Sequence, residues 1–308
     1  MTMPTLKKAL LHSARSAVLA IGLLSATSVN ADAVNNTPQR IISTDAGNTE
    51  LILALGLQPQ LIAIDVTSPQ PDKAKPLPNI GYHRNLSAEG LMSLNPDAII
   101  GSTHMGPEHV VEQLKKTRIN LVQLPAAHDS QQLKNNIQQL AQQLEQPEKS
   151  KQLLAQLEQQ LTHLKKRSLT GQKAVFLLSM DNKLRMAGRK SGGGALISLM
   201  GAQNLADYDN YRSISAEALL TLQPSMIIIG ARDQKKAVAD LLASHPMLKH
   251  TPAGQQNQIL AVDSSSLVSG GLSIAAVDEA LRLANLVLGQ PTLTAQNSAQ
   301  NSNQSSNQ

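Results

Sequence analysis

Apolar positions along this chain follow two alternating rhythms. Short β-branched or apolar runs at 40–43, 61–65, 98–101, 120–124, 174–179, 226–230 and 259–262 predict strands. Apolar residues at helical spacing fill the intervals at 49–55, 88–94, 107–116, 196–200, 216–222 and 274–288. Strand–helix alternation implies parallel sheets covered by helices. Residues 130–167 differ, being rich in Gln, Leu, Lys and Glu, which are good helix formers. Pro147 breaks this run, because a proline ring clashes with the preceding turn. The second piece, at 1.5 Å per residue, spans about 30 Å. Its leucines 153, 154, 157, 161 and 164 form one stripe, which predicts a stiff connector between two halves.

The halves resemble each other. Residues 86–100, LSAEGLMSLNPDAII, and 214–228, ISAEALLTLQPSMII, match at eight of fifteen positions without a gap, at an offset of 128. A weaker echo pairs ELILALG at 50–56 with ALISLMG at 195–201. Repetition in the same order marks a duplicated structural unit. Each copy carries a helix that ends in Gly, then a Ser-Ala-Glu helix that leads into an apolar strand. The expectation is an α/β protein of two Rossmann-like lobes with parallel sheets, joined by a long rigid helix.

The ends of the chain read differently. Lys7, Lys8 and Arg15 precede a short apolar run at 17–24, and small residues follow at 29–31. That order is a secretory signal over 1–31, and the run is too short for a membrane span of about 20 apolar residues. Residues 291–308 are polar, uncharged and of low complexity, a composition that stays disordered. The expected divisions are a signal at 1–31, a first lobe at 32–146, a connecting helix at 147–168, a second lobe at 169–290 and the tail.

Composition narrows the chemistry. The formal charge of +5 falls to +2 without the three basic residues of the leader, too weak for a nucleic-acid footprint. Cysteine is absent, which excludes disulfides, thiolate metal sites and a lipid-bearing cysteine. With no Trp, one Phe and three Tyr, a stacking platform for sugars or single strands is hard to build. No Gly-x-Gly-x-x-Gly follows the first strand, and Lys190-Ser191-Gly192-Gly193-Gly194 is only loosely like a phosphate loop. An enzyme is therefore not expected.

Ligands of two-lobed proteins bind where the lobes face each other. The sharpest candidate is the loop Pro78-Asn79-Ile80-Gly81-Tyr82-His83-Arg84-Asn85. Tyr82 stands in a polar loop behind a flexible Gly81, and a phenolate oxygen can hold haem iron. Arg84 would favour loss of the phenol proton or pair with a haem propionate. An ordinary surface tyrosine and arginine is the alternative. His83 competes as a ligand, but neighbours in an extended loop point to opposite sides. From the second lobe, Arg185, Arg189, Tyr211, Arg212 and Arg232 could face the cleft. His104 and His109 lack the i, i+4 spacing of a helical zinc pair.

The stretch LPNIGYHRNLSAEGLMSLNPDAII at 77–100 resembles the haem-importer periplasmic binding proteins of Gram-negative bacteria, substrate-binding proteins of ATP-driven transporters. TELILALG at 49–56, MAGR at 186–189, GGGALISLMG at 192–201, YRSISAEALLTLQP at 211–224, HPMLKHTPAGQQNQILAVD at 245–263 and the final helix extend the likeness over 38–290. The resemblance implies haem held through Tyr82, with Arg84 beside it; Arg189 and Tyr211 of the second lobe are the candidates for further contacts. Some members carry a histidine after a Leu-Ser pair. Here Met180 follows Leu178-Ser179, which leaves a second axial ligand or a second haem open.

Glu89 and Glu217 sit in the first turns of the repeated helices, after Ser87 and Ser215 as candidate caps. Such carboxylates support a helix start by about 0.3–1 kcal/mol. The resemblance adds docking on the two permease subunits of an ABC transporter, whose two-fold symmetry matches one glutamate per lobe. It further implies a monomeric, periplasmic protein of haem and iron uptake, soluble and unanchored, downstream of an outer-membrane haem receptor. Cobalamin or a ferric siderophore is the alternative ligand, and an enzyme on two Rossmann-like lobes is the more distant one.

Overall fold

The computed structural model of the protein describes residues 38–180, 183–264, 267 and 271–289. The leader at 1–31 and the tail at 291–308 lie outside the described residues. The first half runs β1 (Ile41–Ser43), α1 (Ala46–Ala54), β2 (Leu61–Ile64), α2 (Ala88–Ser93), β3 (Ala98–Ser102), α3 (Glu108–Lys115), β4 (Asn120–Leu124) and α4 (Ser130–Gln143). Its four strands pair in the order β2-β1-β3-β4, all parallel. Such strands are buried on both faces, and the residues comply: Ala98, Ile99 and Ile100 are fully buried. The order reverses between β1 and β3, so a crevice opens beyond the carboxyl ends of these strands.

Next comes α5 (Pro147–Lys166), with its proline in the first turn, where a missing N–H costs nothing. Leu153, Leu157 and Leu164 are its buried stripe, and Leu154 and Leu161 pack at the margin. The second half runs β5 (Lys173–Met180), β6 (Lys183–Ala187), α6 (Gly192–Leu199), β7 (Gln203–Asn204), β8 (Tyr211–Ile214), α7 (Ala216–Leu222), β9 (Met226–Ala231), α8 (Gln234–Ser244), α9 (Pro252–Gln255), β10 (Ile259–Asp263) and α10 (Ile274–Val287).

The two-lobed α/β architecture is as expected, but the second sheet is mixed rather than parallel. Its order is β10-β9-β5-β6-β8, with β7 beside β5, and β6 is antiparallel to both β5 and β8. The segment 183–187 alternates outside and inside, with Leu184 and Met186 turned in. That period of two is the mark of a half-buried strand. The triple glycine that opens α6 is a packing device. A Cβ on Gly193 would lie 2.4 Å from the Phe176 ring, and one on Gly194 would lie 2.1 Å from the Gly188 carbonyl oxygen. The helix therefore seats directly on the core.

The halves are knit at a seam. Helix α5 packs on both α4 and α10. Ala127 forms a bridge with Gly271, and Leu272 N donates to Ala127 O at 2.6 Å. The Glu50 carboxylate on α1 accepts from Ala275 N in the first turn of α10. Gln160 of α5 donates to Asp278 of α10. Burial pushes the Glu50 carboxyl up to about 7, against the pull of hydrogen bonds from Ser273 and Ala275, and nearby Asp278 adds to the rise.

Candidate functional site

The loop that carries Tyr82 is pinned from two sides. Ile80 N donates to Ile64 O at 2.9 Å, and Val66 N to Gly81 O at 2.9 Å, so the loop extends the edge of the first sheet. Beyond it, Gly106 N donates to His83 O and Leu86 N to Gly106 O, both at 2.9 Å. Gly81 has φ +86°, a region open to glycine at little cost. Its N–H donates to Asn79 Oδ1 at 2.7 Å, closing the turn. On this frame Tyr82 is 44 % exposed and Arg84 is exposed with no side-chain partner among the described residues.

His83, next in the chain, is buried. It is 1 % exposed, and its Nδ1 lies 3.3 Å from Oδ2 of the fully buried Asp65. Asp65 also accepts from Thr67 Oγ1, from Ser68 N and from Ser68 Oγ. Ser68 Oγ meets Thr49 Oγ1 at 2.7 Å, which in turn donates to Ser43 Oγ. A polar network thus underlies the crevice floor, where each buried oxygen needs its donors. Beside it, burial raises the Asp45 carboxyl, against the pull of hydrogen bonds from Asn48. Sequence reading passed over Asp65. An Asp after a strand, followed by Thr and Ser at positions two and three, is the readable signal of a side-chain-closed turn.

Across the cleft, Arg232 and Asp263 at the ends of β9 and β10 face Val66, Thr67, Ser68 and Pro69. The space between encloses ≈ 460 Å³, open solvent included. Val66 is 45 % exposed, an apolar wall next to the Tyr82 loop. Of the second-lobe candidates, Arg232 alone is recorded lining this space. Arg185 donates to Tyr211 O at 3.2 Å. Arg189 and Lys190 hold Asp209, at 3.4 and 3.0 Å, and keep its carboxyl below the ordinary range. The Arg212 guanidinium lies 4.6 Å from the Tyr208 ring centroid. Met180 ends β5 opposite Lys183, and its side chain lies outside the described atoms. His104 and His109 join no cluster of three metal-ligating side chains among the described residues.

Tyr211 is turned inward. Its ring meets Phe176 edge-on at 6.4 Å, and its hydroxyl accepts from Gly193 N at 3.4 Å. Burial raises this phenol, opposed by the hydrogen bonds of Gly193 and Ser191. The side chain is partly buried, and these contacts tie β8 to β5 and α6. The offset of 128 pairs Tyr82 with Asn210, His83 with Tyr211 and Arg84 with Arg212. The middle position holds His83 in one lobe and Tyr211 in the other.

The repeated helices have equivalent starts. Ser87 Oγ accepts from Gly90 N at 3.1 Å, and Ser215 Oγ from Ala218 N at 3.2 Å. Glu89 and Glu217 are exposed in the turns that follow. A hydrogen bond from Ser215 is the main cause that lowers the Glu217 carboxyl.

A family model described as periplasmic binding protein matches residues 41–265. The chain belongs to the periplasmic binding protein family. The periplasmic haem-binding protein HutB of Vibrio cholerae is similar at 36 % identity and a TM-score of 0.73, over 81 % of this chain and 98 % of that one. A periplasmic haem-binding protein from Pseudomonas aeruginosa gives 32 % identity and 0.73, over 81 % and 92 %. A vitamin B12-binding protein of Pectobacterium atrosepticum is 29 % identical over 65 % of this chain and 74 % of its own. This periplasmic binding protein is thus the substrate-binding part of an ABC importer and not an enzyme. No helix among the described residues is long and apolar enough to cross a membrane.

Proposed function

We propose that the protein binds haem in the cleft and delivers it to its importer. Iron is held by the Tyr82 phenolate, and Arg84 pairs with a propionate by charge-assisted hydrogen bonds. One observation carries this reading: a half-exposed phenol on a doubly pinned loop, beside an arginine with no side-chain partner among the described residues. The other two tyrosines are turned to protein, Tyr208 donating to Met186 O and Tyr211 accepting from Gly193 N. Haem-binding structures at 28–36 % identity support it. On this reading, residues 1–31 direct export, 32–146 and 169–290 form the lobes, and Glu89 and Glu217 meet the two permease subunits.

The test is a titration of the purified protein with haemin and with cobalamin, read by absorbance. Haemin should give a Soret band and a ferric phenolate charge-transfer band. Tyr82→Ala should lose that band and at least about a hundredfold in affinity, some 2.7 kcal/mol. Tight cobalamin binding without a haemin response would favour a second reading. It has its own support, since curated relatives at 27–29 % identity are vitamin B12-binding proteins.

A further inference from the structure

The residue between Tyr82 and Arg84 is the better clue to how the site is built. We infer that His83, clamped by Asp65, is a positioning residue that aims the Tyr82 phenol into the cleft. The inference rests on the reading of Tyr82 as the iron ligand, but its geometry stands apart from any ligand.

Four observations combine. His83 is 1 % exposed while Tyr82 beside it is 44 % exposed, so one ring is buried and its neighbour is left open to the solvent. The carboxylate of Asp65 can only accept, so the His83 nitrogen facing it at 3.3 Å carries the hydrogen. Asp65 cannot swing to follow another partner, because Thr67 and Ser68 hold both its oxygens. Lastly, the His83 ring lies 4.3 Å from the Tyr82 ring at 52°, a contact that limits how far the phenol can turn.

A loop residue that must present an oxygen to iron gains from such a clamp. Without it, Tyr82 would sample several rotamers, and binding would have to freeze them. The backbone bonds at Gly81 and Gly106 fix where the loop runs. They do not fix which of two neighbouring side chains faces out. The buried hydrogen bond does, because turning His83 outward would strip Asp65 of one donor in a dry site. His83 touches no ligand on this account and acts only through Tyr82.

Two variants separate the clamp from simple space filling. His83→Phe keeps a ring beside Tyr82 and removes the donor. His83→Asn removes the ring and keeps a nitrogen near the Nδ1 position. In the free protein, ring-labelled tyrosine gives three sets of NMR resonances, and the set missing from Tyr82→Ala belongs to Tyr82. His83→Phe should broaden or split that set, and His83→Asn should restore it. On haemin titration, His83→Phe should lose about tenfold or more in affinity and weaken the charge-transfer band, with His83→Asn within about threefold of wild type. A folded His83→Phe protein with a wild-type Tyr82 resonance overturns the inference, whatever haemin does. Wild-type protein that ignores haemin sinks the ligand reading alone, and the NMR arm still judges the clamp. Should His83→Phe fail to fold, Asp65→Asn takes its place under the same criterion.

Discussion

Segments 82–84 and 210–212 are paired by the sequence offset of 128, each just ahead of a repeated helix, and they behave differently. Each leads into a Ser-capped helix with a glutamate in its first turn. The middle residue is buried in the first (His83) and partly buried in the second (Tyr211), and both arginines are exposed. In the first lobe the tyrosine falls one position before the middle one, so its phenol is free for the cleft. In the second the tyrosine occupies the middle position, and the phenol is absorbed by Phe176 and Gly193. The arginines diverge likewise, Arg84 without a side-chain partner among the described residues and Arg212 over the Tyr208 ring. One duplicated frame thus yields a candidate ligand site in one lobe and plain packing in the other. A shift of a single residue decides which.

The largest expected contrast is between the tyrosines. Tyr211→Ala should destabilise the protein by about 3 kcal/mol, as truncation of a packed aromatic does, and leave the haemin spectrum intact. Tyr82→Ala should do the reverse, with stability within about 0.5 kcal/mol of wild type. Thermal melts beside haemin titrations check both, and a spectrum altered by Tyr211→Ala would break the comparison. The arginines come next. Arg84→Ala should cost about 1.5–3 kcal/mol in haemin affinity, the range for a hydrogen bond to a charged group. Arg212→Ala should leave affinity alone and lower stability by about 0.5–1 kcal/mol, the worth of an exposed cation–π contact. The glutamates should show least in the isolated protein. Glu89→Gln and Glu217→Gln should each change stability by only a few tenths of a kcal/mol and leave haemin binding untouched. Both should nevertheless slow uptake through the importer, to a similar degree. A loss seen for one lobe only would refute symmetric docking.

Much of this was legible beforehand, for identifiable reasons. Seven apolar strands were visible because strands buried on both faces read as unbroken Ile, Leu and Val runs, as in 226–230. Pro147 marked the start of α5, and the serine caps marked the repeated helices. Strands β6 and β8 went unseen because they are short and alternate residues such as Arg185 are exposed, which leaves no apolar run. Helix α8 was missed because only Ala237 and Leu241 of its residues are buried, which leaves little apolar stripe. At the site, Tyr82 stood out by rarity and by its loop. The Asp65–His83 contact joins residues 18 apart through a turn, and no spacing rule announces such a pair. Scarcity singled out Tyr82 and Tyr211 alike, and it does not reveal direction.

Glu50 has a consequence for how the molecule responds to its surroundings. In the unfolded chain this carboxyl titrates near 4.5, and in the folded seam near 7. Between those values the native form retains a proton that the denatured form has released. Folding stability therefore declines as pH climbs through that window, and the loss is complete above about 7. The carboxyls of the buried Asp45 and of Asp278 are raised as well, by burial, and tilt the curve the same way. The join between the halves is thus firmest in mild acid. A neutral glutamine at position 50 should flatten that slope, as denaturant melts at pH 5 and pH 8 would record. A compartment whose acidity tracks the outside medium would tune the grip of one half on the other.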